Sequence, residues 1–412
     1  MKKEVLGRNF LYTSGAFLLT NLFGYLFHAV ASRKLGPPLY AEFTVLYTLL
    51  FTLSRPVPVL ATAVARVAVL GRGEGRDFGE IRRFSFRLGT ALSLGLGLGT
   101  VLLAPLFEHF LHAGNRKLFL FLGLTLFIWG MAGIYRGLLV SLEHFRDISY
   151  ADTLEMLVRA ACGSFLLLAG FGSAGAFWSV AAGALVLFVL VLRRGEKIEE
   201  GYTRRLQNGD SKGSASTIAG KVFLIALPVG LFTELDTLLI KRLFSPDEAG
   251  MYAAAALIGK GLLLFSVALS SVLYPRLVEG GRDKRGLRTF LLGVKGVLLL
   301  FCAGFLFLLV AGEPFIALLF GPQYRNVAAF APWYLLSLTP LALHLQIANY
   351  KSAIGGRKEG LWLWGILAGY FICLEAFSST LSVYLYAIFL FHSLAAPLSF
   401  LFLYRRHRGR RE

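Results

Sequence analysis

Charge is scarce in this sequence, and so is cysteine. Only 16% of the 412 residues are charged, while 56% are hydrophobic; a soluble domain carries about 25% charged residues. A soluble core cannot hide so much apolar side chain, because surface scales too steeply with size. The three cysteines, Cys162, Cys302 and Cys373, all lie inside apolar runs. They have neither a disulfide pattern nor metal-ligand spacing, and they read as small buried hydrophobes. There is no phosphate-binding loop, no GxSxG, no HExxH and no carboxylate pair set in a soluble part. The expectation is therefore a protein that is not an enzyme, without catalytic residues, cofactor or metal. A cleavable signal is also missing: Met1–Arg8 is basic, but the run that follows, Phe10–Ala31, is too long and reads as a first spanning helix.

What the sequence does have is oily length. The apolar residues fall in runs of about 20, enough to cross roughly 30 Å of hydrocarbon at 1.5 Å per residue. Every backbone donor in a bilayer must find a partner within the protein, so such runs predict helices; a barrel would show alternating segments of about 10. Twelve spans are predicted, six on each side of the longest polar interval, Arg193–Ser214. The chain thus divides into an amino-terminal lobe over 1–192, a connector over 193–214, a carboxy-terminal lobe over 215–404 and a basic tail over 405–412. The second span, about 41–69, contains Arg55, Pro56, Pro58 and Arg66, and its prolines predict a kink or a break. In the third span Gly89, Gly95, Gly97 and Gly99 predict close helix contacts or bending.

The formal charge of +18 would suit nucleic acid, but its placement does not. The basic residues cluster in short loops. With a cytoplasmic amino terminus, 28 of the 42 Lys and Arg fall on inward segments and 7 on outward loops. By the positive-inside rule the chain is a multi-pass protein of the cytoplasmic membrane with both termini in the cytoplasm.

The two lobes resemble each other. RKLGPPLYAEFTVLYTLL (33–50) matches KRLFSPDEAGMYAAAALIGK (241–260) in a basic pair, a Leu, a Pro turn and a Tyr that opens a new helix. LLAPLFEHFLHAGNRKLFLFLGLTLF (102–127) likewise matches LVAGEPFIALLFGPQYRNVAAFAPWYLLSL (309–338) in a helix end, an apolar hook with Phe and a Gly turn. Because six spans separate the copies, both enter from one side, and the repeat is parallel with its axis along the membrane normal.

RKLGPPLY after the first span, DTLLIKRLFSPDEAGMY at 236–252, YPRL at 274–277 and FGPQYRNVA at 320–328 stand in this order. Together they make the chain resemble the oligosaccharide and polysaccharide lipid flippases of the multidrug/oligosaccharidyl-lipid/polysaccharide exporter superfamily. The resemblance implies a multidrug-exporter-like fold of two six-helix lobes around a central cavity, and alternating access. It implies as substrate a polyprenyl-diphosphate-linked glycan, with membrane lipids, a polysaccharide polymerase or glycosyltransferases as partners of a monomer. A cation-coupled multidrug exporter of the same superfamily is the alternative. Peptidoglycan precursor flippases of this kind usually carry two further carboxy-terminal helices.

A charge at membrane depth costs several kcal/mol and calls for a cavity or a partner. Arg55 and Arg66 suit a diphosphate, which guanidinium grips with paired hydrogen bonds. Lys260, ten residues into its span, is a further candidate for substrate, with a buried carboxylate pair as the alternative. His28 joins them as a proton-sensitive group on the first helix. Asp236 and Glu234 are candidates for proton or sodium coupling; two residues apart on one helix, they are expected to point in different directions. Asp152, Glu155 and Arg159 fall at i, i+3 and i+7 and read as a structural network, with Arg136 able to join it.

Overall fold

The computed structural model describes residues 2–73, 78–196, 215–280, 284–354 and 358–408, whose regular elements are all helices, with no strand among them. Through the first half run α1 (Lys2–Leu53), α2 (Pro56–Gly73), α3 (Phe78–Leu102), α4 (Ala104–Leu111), α5 (Leu118–Ser141), α6 (Phe145–Leu168) and α7 (Gly172–Glu196). The second half runs α8 (Ala215–Leu243), α9 (Pro246–Gly280), α10 (Lys284–Phe320), a 3₁₀ segment Pro322–Ala329, α11 (Ala331–Ile354), α12 (Lys358–Ala376) and α13 (Leu381–Arg408). Most of the connector, 197–214, and the end of the tail, 409–412, lie outside the described residues.

Among the described residues seven helices are long and apolar enough to cross a membrane, or eight if the bent 3₁₀–α11 pair is one span. Two of the features that separate this number from the twelve spans read in the sequence lie in the first half of the chain. The first is α1, whose 52 residues would extend for about 80 Å at 1.5 Å each, far beyond one bilayer. It breaks at Gly36, whose φ of 68° and ψ of 171° are open to glycine at no steric cost; Pro37 and Pro38 then restart the helix. The second is α6, whose charges at Asp147, Asp152, Glu155 and Arg159 take it out of the apolar class although it is long enough to span.

Local chemistry places the other boundaries. Ser54 and Arg55 form a turn before Pro56, where Val57 N–H donates to the Ser54 carbonyl at 2.8 Å, so the proline break falls just ahead of α2. Ser245 and Glu248 close a capping box at the start of α9: the Ser245 hydroxyl meets Glu248 Oε2 at 2.7 Å, and the Ser245 N–H reaches it at 3.1 Å. The narrow gap between α12 and α13 is capped by Thr380, whose Oγ1 accepts from the Val383 N–H at 3.3 Å.

The chain forms two compact units, one of 1–35 with 46–223 and one of 36–45 with 224–412. The first is therefore not a continuous run from the amino terminus, since Gly36–Val45 joins the second unit. Its reason is steric. Gly250, near the start of α9, lies so close to Pro37 that a Cβ there would collide with the Pro37 carbonyl oxygen, and Tyr40 is fully buried beside Phe320 and Tyr324.

Each unit repeats one packing order. In the first, α5 packs on α2, α3 and α7, α2 packs on α3, and α6 packs on α7. In the second, α11 packs on α9, α10 and α13, α9 packs on α10, and α12 packs on α13. Of the α3 glycines, Gly97 meets the Gly123 backbone of α5 and Gly89 meets Ile134, whereas Gly95 and Gly99 face open space. Outward faces stay apolar: on α10, Leu299 and Val310 are 72% and 88% exposed, as lipid contact allows.

Candidate functional site

Among the described residues each unit buries a cluster of charge. In the first, α6 supplies Arg159 and, one turn earlier, Glu155. Arg159 Nη2 donates to Glu155 Oε1 at 2.5 Å, and Nη1 donates to the Tyr47 hydroxyl at 2.6 Å. The same Glu155 oxygen accepts from the Trp129 indole N–H at 3.0 Å. The guanidinium carbon lies 5.5 Å from the Trp129 ring centre and 5.9 Å from that of Tyr47, so π faces add to the pairing. Asp152 turns to another partner, receiving both Arg136 nitrogens at 2.6 Å. The residues read as one network thus make two adjacent ion pairs. His28 is buried in the same unit, edge-on to Phe27 and Tyr47.

The second cluster joins α8, α9, α11 and α13. Lys260 Nζ donates to Thr237 Oγ1 at 2.6 Å and lies 3.1 Å from Asp236 Oδ1 and 3.2 Å from Glu234 Oε2. The second Asp236 oxygen accepts the hydroxyls of Tyr252 at 2.7 Å and Tyr334 at 2.9 Å. The Tyr384 hydroxyl donates to the Asp236 carbonyl at 2.9 Å. Asp236, Thr237 and all three tyrosines are buried.

This arrangement corrects one sequence expectation. Glu234 and Asp236, two apart, do not part company: a long lysine stem from α9 brings one ammonium to both carboxylates, and the extra methylene of glutamate closes the remaining distance. The neighbouring Lys241 lies in the field of Glu42 instead. An ammonium has three donors, and Lys260 has three acceptors, so a phosphate would reach it only by displacing one of them.

The other sequence candidates lie apart from this cluster. Arg55 is half-buried at the α1–α2 break in the first unit. Arg66 falls on α2, and its side chain lies outside the described residues. His344 and His392 face each other with their Nδ1 atoms 3.5 Å apart, while Glu375 pairs with Arg242 at 3.3 Å. Sequence reasoning passed over Tyr47, Trp129, Thr237, Tyr252, Tyr334 and Tyr384. A signal was there: a tyrosine hydroxyl on an oily helix needs a partner when buried, and Asp236 and Tyr252 stand on either side of the short turn between α8 and α9.

This all-helical fold is that of known exporters and flippases. A multidrug transporter of the superfamily in an inward-facing conformation aligns with a TM-score of 0.70 at 13% identity, over 95% of this chain and 95% of its own. The lipid II flippase MurJ, inward closed, aligns at 0.69 and 15% identity, over 97% of this chain and 87% of its own. A superfamily transporter from Pyrococcus furiosus, described by the reversed polarity of its binding pocket, aligns at 0.65 and 15%, over 100% of this chain and 97% of its own. At such identities the likeness is one of fold. The protein is thus a multi-pass helical membrane protein with the architecture of the multidrug/oligosaccharidyl-lipid/polysaccharide exporter superfamily. Within that class the chain belongs to the polysaccharide biosynthesis protein family, whose pattern it matches over residues 81–329. No curated protein sequence matches it significantly.

Proposed function

We propose that the protein flips a lipid-diphosphate-linked oligosaccharide or polysaccharide precursor across the cytoplasmic membrane by alternating access, with both termini in the cytoplasm. The observation that carries this reading is the match to polysaccharide biosynthesis proteins over residues 81–329; a fold shared with a lipid II flippase supports it. Membrane lipids, and a polymerase or glycosyltransferases on either side of the step, are its partners, and the protein works as a monomer.

Arg55 is the residue we assign to the diphosphate. It sits where the helix is interrupted ahead of Pro56, and its planar fork matches phosphate oxygens in pairs. Arg66 and His28 stand with it on the substrate side. Lys260, whose three protons already have acceptors, belongs with Asp236 and Glu234 on the coupling side, where a proton or sodium gradient drives the cycle. A cation-coupled multidrug exporter is the second reading, favoured by the pair of carboxylates at that cluster.

The test is reconstitution in liposomes with a labelled polyprenyl-diphosphate oligosaccharide and, in parallel, a cationic dye. The expected outcome is head-group translocation that is lost in a monodisperse Arg55→Ala protein, with no dye export. Unchanged flipping in that variant removes Arg55 from the site, and dye export without flipping replaces the glycolipid reading with the drug reading.

A further inference from the structure

Three oxygens converge on the Lys260 nitrogen: Thr237 Oγ1, Asp236 Oδ1 and Glu234 Oε2, at 2.6, 3.1 and 3.2 Å. Asp236 does not depend on Lys260 for its position. Asp236 is held separately by Tyr252 from α9 and Tyr334 from α11 at its other carboxylate oxygen, and by Tyr384 from α13 at its carbonyl. Thr237 follows it on the same helix. The result is a set of two carboxylates and a hydroxyl anchored at Asp236, the oxygen donors that hard metal cations select. Its occupant is the end of a side chain.

The exposure of the two partners differs in a way that bears on this. The Asp236 side chain is 2% exposed and that of Lys260 18%. The carboxylate is therefore the fixed, buried part, and the ammonium closes the open side on a flexible four-carbon stem. A buried carboxylate at membrane depth requires a counter-charge, and here the chain provides its own.

We infer that Lys260 is a tethered cation: its ammonium takes the place that a free monovalent metal ion would occupy between Asp236, Glu234 and Thr237, and this residue makes the protein independent of sodium at that site. The inference rests on the reading of Asp236 and Glu234 as coupling groups and chooses between their two candidate ions. It leaves the proton as the ion that can be exchanged there, since a proton can add to a carboxylate without displacing the lysine stem from the cluster.

Radioactive sodium binding to the purified full-length protein, in detergent and sodium-free choline buffer with no glycolipid present, tests this. The wild type is expected to show no saturable sodium binding. Lys260→Met, which keeps the stem and removes the charge, is expected to gain a single class of saturable site, and Asp236→Asn in the same protein to abolish it. Lys260→Arg, which keeps a cation, is expected to stay silent. Saturable binding by the wild type that disappears in Asp236→Asn overturns the inference, and so does a folded Lys260→Met that binds no sodium. If Lys260→Met is not monodisperse in choline chloride, sodium chloride during purification restores it where a metal ion replaces the ammonium; failure to restore it overturns the inference. Because no glycolipid enters the measurement, its failure leaves the flipping assay untouched, and a failed flipping assay leaves the sodium result standing.

Discussion

In the first unit a guanidinium, Arg159, takes its carboxylate from four residues earlier on its own helix, and aromatic faces cover the rest of it. In the second an ammonium, Lys260, takes two carboxylates and a hydroxyl from a different helix. The contrast follows from the cations. A guanidinium is planar and weakly hydrated and stacks on rings, so Trp129 and Tyr47 stabilise it beyond its hydrogen bonds. An ammonium is a compact, strongly hydrated point charge, and burying it requires oxygens in place of water. The first cluster can therefore be built from one helix and neighbouring aromatics. The second needs several helices packed in register, with three tyrosines to hold one aspartate.

The comparison predicts a ranking of losses when one partner is neutralised. Asp236→Asn has the largest expected effect. It removes the charge facing Lys260 and disturbs two tyrosine hydrogen bonds, and breaking a buried pair from one side costs about 3–5 kcal/mol. Thermal unfolding in detergent checks it, and a fall no greater than that of a surface variant would erase the distinction between the clusters. Glu155→Gln comes next, with about 2 kcal/mol expected for a charged hydrogen bond, because Arg159 keeps the Tyr47 hydroxyl and both rings. A Glu155→Gln loss equal to that of Asp236→Asn would show that the aromatic faces contribute nothing. Asp152→Asn is the smallest. Its partner Arg136 is 37% exposed, so a loss of about 0.5 kcal/mol is expected, which equilibrium unfolding of both proteins under one condition can separate from the other two.

Much of the fold was legible in the sequence because a membrane leaves few alternatives. Hydrophobic runs must become helices, and their ends carry the usual marks: Pro56, the Ser245–Glu248 box and the gap before Leu381 stand where the chain turns. The i, i+4 spacing likewise foretold the Glu155–Arg159 pair, since both residues share a helix face. The Asp152 partner was less legible, because Arg136 lies on α5, and its choice depends on how two helices rotate against each other. Least legible was the second cluster. Spacing on α8 says that Glu234 and Asp236 diverge, and nothing in the local pattern says that a lysine from α9 will reach both.

The sequence by itself determined that this is a membrane protein of helices in two similar halves, with charge buried in each; length, hydropathy and loop charge settle those properties without any long-range contact. Tertiary structure alone decided that Gly36–Val45 packs with the second half, through the close approach of Pro37 and Gly250. It alone decided, too, that Lys260 meets Asp236, Glu234 and Thr237 inside a ring of tyrosines. These depend on the rotation and crossing of helices far apart in the chain, which the periodicity of any one helix does not specify.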